Sequence, residues 1–198
     1  MKCKSVLCLC LLCGFLLSGC RASHQLETAS IVQSVTVARH NGQLCYTFYC
    51  LSPDEKPPKT VVPAPSFEKA CQKAREQYIP HLTLAKLNLL MVHRELAADV
   101  LLRDMDYIAG QSDFSPVTHV CVGDSAALEA MDSSTKQHRE AEQLLLLCRR
   151  RYPRVKLSYL SVFNSLHKKE DNSLELACLI SEKELKVEPV TVQKSKNR

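Results

Sequence analysis

The sequence lacks tryptophan altogether and contains only five glycines in 198 residues. So few glycines leave little room for a glycine-rich loop of the kind that wraps a phosphate group. The formal net charge of +5 is small and the tyrosines and phenylalanines are scattered, so the chain has neither a dense basic stripe nor a row of aromatic platforms. We therefore predict that the protein does not bind nucleic acid.

A catalytic or metal-binding motif is missing as well. His81 and His93 lie twelve residues apart, whereas two imidazoles on one helical face need the His-Glu-x-x-His spacing. His93 is interpreted instead as the start of a helix. Asp104 and Asp106 lie among other charged residues, which is typical of a solvated helix face. We therefore expect no catalytic residue, no metal site and no cofactor.

The chain begins with the features of a secretory signal. Lys2 and Lys4 form a basic start, and an apolar stretch follows over residues 6–17. This stretch is too short for a permanent transmembrane helix, which needs about 20 apolar residues to cross the hydrocarbon core. We therefore interpret residues 1–19 as a signal peptide.

The signal ends in Leu17-Ser18-Gly19-Cys20, which resembles the bacterial lipobox. The resemblance implies that the Cys20 thiol is diacylated and that the peptide bond between Gly19 and Cys20 is then cut. Two acyl chains anchor a protein stably, because each buried CH₂ contributes about 0.8 kcal/mol and a single chain is only marginal. We predict a lipid anchor at Cys20, a polar tether over 20–29 and a location on the outer face of the cytoplasmic membrane. A plain signal peptide with a chance cysteine is the alternative.

Six more cysteines follow the predicted anchor. An even number outside the cytoplasm permits a disulfide framework. Their spacing is wide and most lie in apolar runs, which favours buried free thiols that pack as small hydrophobic side chains. A thiol enzyme that uses Cys121, or the pair Cys45 and Cys50, is the least favoured alternative. The six residues are Cys45, Cys50, Cys71, Cys121, Cys148 and Cys178.

Apolar periodicity and turn residues predict the secondary structure. An Asn41-Gly42 turn between apolar strands over 31–38 and 44–50 is a strong hairpin signal. Five prolines predict a loop over 52–65, and Ser66 is the expected N-cap of the next helix. The later elements are expected to be a strand over 82–92, a helix from His93 to Ala109 with Gly110 as C-cap, a strand over 117–122, a helix capped by Asp124 or Ser125 and ending near Met131, helices over 136–150 and 159–167, and a strand over 174–180. The expected buried residues of the helix over 136–150 are Leu144, Leu145, Leu147 and Cys148.

This series predicts an α/β (α+β) fold. A mixed β-sheet of about four to five strands, including the N-terminal antiparallel hairpin, is expected to pack with three to four helices in one domain over 30–185. The charged segment 186–198 is expected to be disordered. The basic residues Arg149-Arg150-Arg151 and those of 194–198 suit anionic lipid head groups, which a tethered protein meets.

The chain resembles the N-terminal domain of the Ger(x)C family, the lipoprotein C subunits of spore germinant receptors. The resemblance lies in the order of its elements, which is lipobox, strand, hairpin, proline loop, helix, apolar strand, helix and strand. The likeness covers roughly residues 17–170. Its most specific segments are Ser66-Phe67-Glu68-Lys69-Ala70, the stretch 81–92, His93-Arg94-Glu95-Leu96-Ala97 and Leu101-Leu102-Arg103-Asp104.

The resemblance implies a non-catalytic subunit or scaffold of a germinant-receptor-like membrane complex in spore germination. Such a subunit would lie on the outer face of the cytoplasmic membrane, which is the inner membrane of a spore. It would contact integral-membrane receptor subunits. The alternative is a solute-binding or envelope-binding lipoprotein that is unrelated to germination.

Overall fold

The computed structural model describes residues 30–168 and 172–194 of the chain. These residues contain five α-helices and eight β-strands. A 3₁₀ turn, Arg94–Leu96, precedes the second helix. The strands are β1 Ser30–His40, β2 Gln43–Cys50, β3 Lys59–Pro63, β4 Leu82–Thr83, β5 Leu89–His93, β6 His119–Gly123, β7 Ser173–Ser181 and β8 Leu185–Gln193. The helices are α1 Phe67–Gln77, α2 Ala97–Ala109, α3 Ser125–Ser133, α4 Thr135–Arg151 and α5 Tyr159–His167.

The strands form one mixed sheet in the order β3-β2-β1-β5-β6-β7-β8, and β4 pairs with the start of β1. β1, β5, β6 and β7 run parallel, whereas β2, β3 and β8 are antiparallel to their neighbours. We call the side at which the four parallel strands end the carboxyl end of the sheet, and the opposite side the amino end. The predicted α/β fold with a mixed sheet and an N-terminal hairpin is confirmed, with more strands and helices than expected.

The hairpin is set by its turn. Asn41 and Gly42 have φ values of 50° and 77°, the left-handed conformation that both central positions of a type I′ turn require. Because side chains alternate along a strand, the resulting register directs Tyr46 and Phe48 to one face of the sheet and Tyr49 to the other.

Helices cover both faces of the sheet. α1, α2 and α5 pack on one face, where Phe67, Leu101 and Val162 join the larger core cluster. α3 and α4 pack on the other face, where Met131 and Leu145 join a second cluster. The central strands β5 and β6 are covered on both sides, which explains why each is a continuous apolar run.

The predicted strand over 82–92 is wrong in its middle part. Its residues form the separate strands β4 and β5, joined by a turn in which the Leu87 N–H donates to the Leu84 carbonyl. Both leucines are buried, so the turn adds them to the core without lengthening the sheet. The helix expected from His93 begins as a 3₁₀ turn, and Gly110 is the C-cap of α2 as predicted.

The predicted proline loop contains an edge strand. Lys59–Pro63 pairs with β2 as β3, and Pro63 is tolerated there because an edge strand has one unpaired side. The sequence Thr60-Val61-Val62 between the prolines is the β-branched signal of this strand.

A second edge strand replaces the predicted tail. Leu185–Gln193 pairs along its whole length with β7, so the expected disorder is wrong for residues 186–193. Val187, Val190 and Val192 are half-buried, and the residues between them are exposed. This pattern is close to the two-residue alternation that is typical of a strand. Residues 195–198 lie outside the described part of the chain.

The predicted helix caps are present, and the inward face of α4 is partly as expected. Ser66 Oγ accepts the Lys69 N–H at 3.3 Å at the start of α1. In α4, Leu145 and Cys148 are buried, but Leu147 is 56% exposed. A helix turns by about 100° per residue, so a run of four leucines cannot be buried on one face.

Candidate functional site

A cavity opens at the carboxyl end of the sheet, on the face that α3 covers. Its volume is about 320 Å³, within the range of small-molecule sites. Its polar lining comes from β1, β2, the β5–α2 corner and α3, and includes Thr36, Tyr49, His93, Ser125, Glu129 and Asp132. Polar groups from four separate segments therefore converge on this space, which we call the carboxyl-end cavity.

The local sequence explains why these side chains meet. Asp124 is the N-cap of α3, and its carboxylate accepts the Ala127 N–H at 2.7 Å. α3 therefore starts directly after β6. Since β5 and β6 are parallel neighbours, the first residue of α3, Ser125, lies next to His93 at the end of β5.

One wall of the carboxyl-end cavity is a hydrogen-bonded aspartate. The Tyr49 hydroxyl donates to Asp132 Oδ1 at 2.5 Å, and Lys59 Nζ lies 2.7 Å from Asp132 Oδ2. Burial raises the pKa of Tyr49, and the hydrogen bond to Asp132 raises it further, so the phenol keeps its proton. The Asp132 side chain is 41% exposed. This wall therefore presents an accessible carboxylate acceptor that the Tyr49 hydroxyl holds in place.

His93 and Ser125 form a second polar pair at the cavity. His93 Nε2 lies 3.1 Å from Ser125 Oγ, while His93 Nδ1 accepts the Glu95 N–H at 3.4 Å. An Nδ1 that accepts leaves the proton of the neutral ring on Nε2. In that tautomer the imidazole donates to Ser125, whereas an activated serine nucleophile needs a histidine that accepts the hydroxyl proton.

A second histidine–serine pair supports the inner side of the site. His138 Nε2 donates to the Met131 carbonyl at 2.8 Å, so Nδ1 accepts from Ser34 Oγ at 2.6 Å. Both side chains are buried, and burial lowers the pKa of His138. The Tyr49 ring contacts the imidazole edge-on, with 4.8 Å between ring centroids. This pair ties α4 to β1 behind the cavity wall.

All six described cysteines are free thiols, as predicted, and no disulfide framework is found among them. Five are buried and Cys50 is half-buried. Burial raises the pKa of Cys71 to about 12 and also raises that of Cys121, so neither is a thiolate near neutral pH. Cys45 and Cys50 are separated by an odd number of positions in β2 and point to opposite faces. A thiol nucleophile is therefore disfavoured at each of the sites considered from the sequence.

Asp104 is not on a solvated face, which corrects the expectation from its charged neighbours. It is buried, and it accepts the Tyr46 hydroxyl at 2.6 Å. Arg103 Nε donates to its other oxygen at 2.8 Å. Burial raises the pKa of Tyr46, so this phenol also stays protonated. The three groups join β2 to α2 on the face opposite the cavity.

The predicted anchor residues Gly19 and Cys20 lie outside the described residues. Within 30–168 and 172–194, no helix is both long and apolar enough to cross a bilayer. In these same ranges, no three His, Cys, Asp or Glu side chains are grouped so that they could hold a metal ion. Comparisons with known protein families, curated proteins and solved structures found no match to this chain.

Sequence patterns predicted His93 as a helix start and Ser125 as a possible helix cap, but predicted no cavity residue as part of a binding site. A signal for the others was present in Ser34, Thr36 and Thr47, which interrupt otherwise apolar strands. Buried hydroxyl groups need hydrogen-bond partners, so such residues indicate a polar site on one face of a sheet.

Proposed function

We propose that the protein is a lipid-anchored, non-catalytic binding protein whose carboxyl-end cavity holds a small polar ligand. The convergence of hydroxyl, imidazole and carboxylate groups on one space of about 320 Å³ supports this best. The described cysteines are free thiols, five buried and one half-buried, which favours binding over a reaction. The lipobox Leu17-Ser18-Gly19-Cys20 supports the anchor.

The charges of the lining favour a ligand with a cationic or polyhydroxyl group. Glu95, Glu129 and Asp132 contribute carboxylates, and Arg39 contributes a guanidinium. Asp132 is paired with Lys59, whereas Glu95 and Glu129 form no ion pair within the described residues. We therefore expect amines, amino acids or sugars to bind more tightly than inorganic phosphate.

Binding is tested by titration calorimetry against a panel of amines, amino acids and sugars, with inorganic phosphate as the disfavoured probe. Glu129→Gln should weaken the binding of an amine by roughly tenfold or more, because a hydrogen bond to a charged group contributes about 1.5–3 kcal/mol. The matched control is Glu184→Gln, an exposed glutamate that does not line the cavity.

Two results would contradict the carboxyl-end cavity as the binding site. One is an equal loss of affinity in Glu129→Gln and in its control. The other is unchanged binding in Ala38→Phe, a substitution that fills the cavity from β1.

The anchor is tested separately with an alkyne-labelled fatty acid fed to cells. Wild-type protein and Cys13→Ser, which changes a cysteine outside the lipobox, should take up the label, and Cys20→Ser should not. Labelled Cys20→Ser protein that also stays with salt-washed membranes would contradict the anchor.

A second proposal is a subunit of a germinant-receptor-like complex, supported by the Ger(x)C resemblance. Two of the segments that bear the resemblance, 66–70 and 101–104, lie at α1 and in α2, which pack together through Phe67 and Tyr107 with ring centroids 6.3 Å apart. Affinity purification from detergent-solubilised membranes should then recover integral-membrane receptor subunits. Recovery of none would count against this role.

A further inference from the structure

We propose that the outward face of α4 lies on the surface of an anionic lipid bilayer and that the mouth of the carboxyl-end cavity stays in solvent. We call this surface the docking face. It comprises the exposed residues Lys136, Arg139, Leu146, Leu147, Arg149, Arg150, Arg151 and, just beyond the helix, Arg154.

The docking face is strongly basic. Residues 135–154 contain six lysine or arginine side chains against two glutamates. All six cations are exposed, and none forms an ion pair within the described residues. One of the two glutamates, Glu142, is half-buried, and burial raises its pKa. The positive charge is therefore available to an anionic surface.

Two leucines lie within this basic surface. Leu146 is 50% exposed and Leu147 is 56% exposed, whereas Leu145 is fully buried. Exposed leucines beside arginines are the arrangement of an interfacial helix, in which leucines enter the boundary of the acyl chains and arginines contact head groups. A bilayer satisfies both kinds of side chain at once.

α4 runs across the amino end of the sheet. His138, near its start, bonds to Ser34 in β1, and Cys148, near its end, lies close to Glu175 at the start of β7. Ser34 pairs with Leu89 at the first position of β5, so these contacts lie at the level where the parallel strands begin. The docking face therefore extends over the amino half of the domain. Its arginine-rich end, after Cys148, lies at β7, and β5 and β6 separate it from the cavity-lining strands β1 and β2.

Both ends of the described domain lie at the amino end of the sheet, which is the end that α4 crosses. β1 begins at Ser30, and the Lys194 N–H after β8 donates to the Asn172 carbonyl before β7 at 2.9 Å. The predicted tether 20–29 can extend about 36 Å at most, so an anchor at Cys20 would hold the amino end close to the bilayer. A domain docked in this way keeps the mouth of the cavity in solvent.

The test uses the full chain, reconstituted from detergent into vesicles of phosphatidylcholine with or without phosphatidylglycerol. Limited trypsin digestion and mass spectrometry measure cleavage after Arg149, Arg150 and Arg151. Cleavage after Lys183, in the β7–β8 turn at the carboxyl end, is the internal control.

We expect cleavage at the arginines to be about tenfold slower on the anionic vesicles, with no change at Lys183. At about 1 M salt, where the Debye length is about 3 Å, the difference should shrink. Equal cleavage at the arginines on both kinds of vesicle would overturn the proposal. Protection that is the same in both lipids and in detergent would also overturn it, because a protein contact would then cover the face.

The double variant Leu146→Ser and Leu147→Ser retains every trypsin site and every charge. It should lose much of the protection on anionic vesicles. Its control is Leu160→Ser, a leucine that is 51% exposed on α5, which packs on the other face of the sheet. Equal protection in the double variant and the control would show that the leucines do not contact lipid and would overturn their placement. Ligand binding uses none of these residues, so the two proposals fail independently.

Discussion

Tyr46 and Tyr49 belong to the same strand, both are buried and both donate a hydrogen bond to an aspartate, yet they point to opposite faces of the sheet. Tyr46 donates to Asp104 at 2.6 Å, and Arg103 closes that pair with contacts of 2.8 Å to each residue. Tyr49 donates to Asp132 at 2.5 Å at the wall of the carboxyl-end cavity.

The difference between the two pairs lies in what surrounds the carboxylate. Asp104 is buried and its oxygens are occupied by protein donors, so the pair acts as a structural link. Asp132 keeps exposed surface, and its cation, Lys59, comes from an edge strand. The same pair of residue types therefore links β2 to α2 on one face and lines the carboxyl-end cavity on the other.

Removal of the two aspartates should give the largest difference in stability between the two pairs. Asp104→Ala is expected to lower the free energy of unfolding by about 3 kcal/mol, because buried Tyr46 loses its acceptor and Arg103 loses its ion-pair partner. The loss is smaller than for a fully buried ion pair, since the Arg103 side chain is 39% exposed and can turn to solvent. Asp132→Ala should cost only about 1 kcal/mol. Urea denaturation measures both, and equal losses would refute the contrast.

Removal of the two hydroxyl groups gives a smaller effect with a functional readout. Tyr46→Phe should cost about 2 kcal/mol of stability, because the buried Asp104 loses a donor. Tyr49→Phe should cost about 1 kcal/mol and also weaken the binding of any ligand found for the cavity. Denaturation and calorimetry on the same two proteins test this. A Tyr46→Phe protein that loses ligand affinity while Tyr49→Phe retains it would reverse the assignment.

The smallest expected effect is a pH dependence on the cavity side. Burial lowers the pKa of His138 in the folded state below its unfolded value of about 6.5, so the unfolded chain binds more protons as the pH falls. The stability should therefore be fully present above about pH 6.5 and decrease below it. His138→Gln should reduce this slope, whereas His81→Gln, at an exposed histidine, should not. His119, whose pKa burial also lowers, should account for part of the remaining slope.

Much of the secondary structure could be predicted because its signals are local. The Asn41-Gly42 turn and the caps Ser66 and Asp124 each act over a few residues, and all three are present. Asp104 was misplaced because its charged neighbours indicated solvent. Its helical spacing indicated the reverse, since it follows Val100 by four residues on the buried side of α2.

The candidate site could not be predicted in this way. Tyr49 and Asp132 are 83 positions apart, and Ser34 and His138 are 104 apart. No local pattern links such pairs. Their contact depends on the strand order and on the face that α3 and α4 cover.

Local sequence is sufficient to predict the hairpin, the capped helices and the alternation of side chains in each strand. The prediction of an anchor at Cys20 also rests on local sequence. Each of these depends on interactions within a few residues. Which of the two buried tyrosines borders a cavity depends on the tertiary structure. The exposure of Leu146 and Leu147 on α4 depends on it as well. Burial is set by contacts between distant segments, and local propensity cannot specify those contacts.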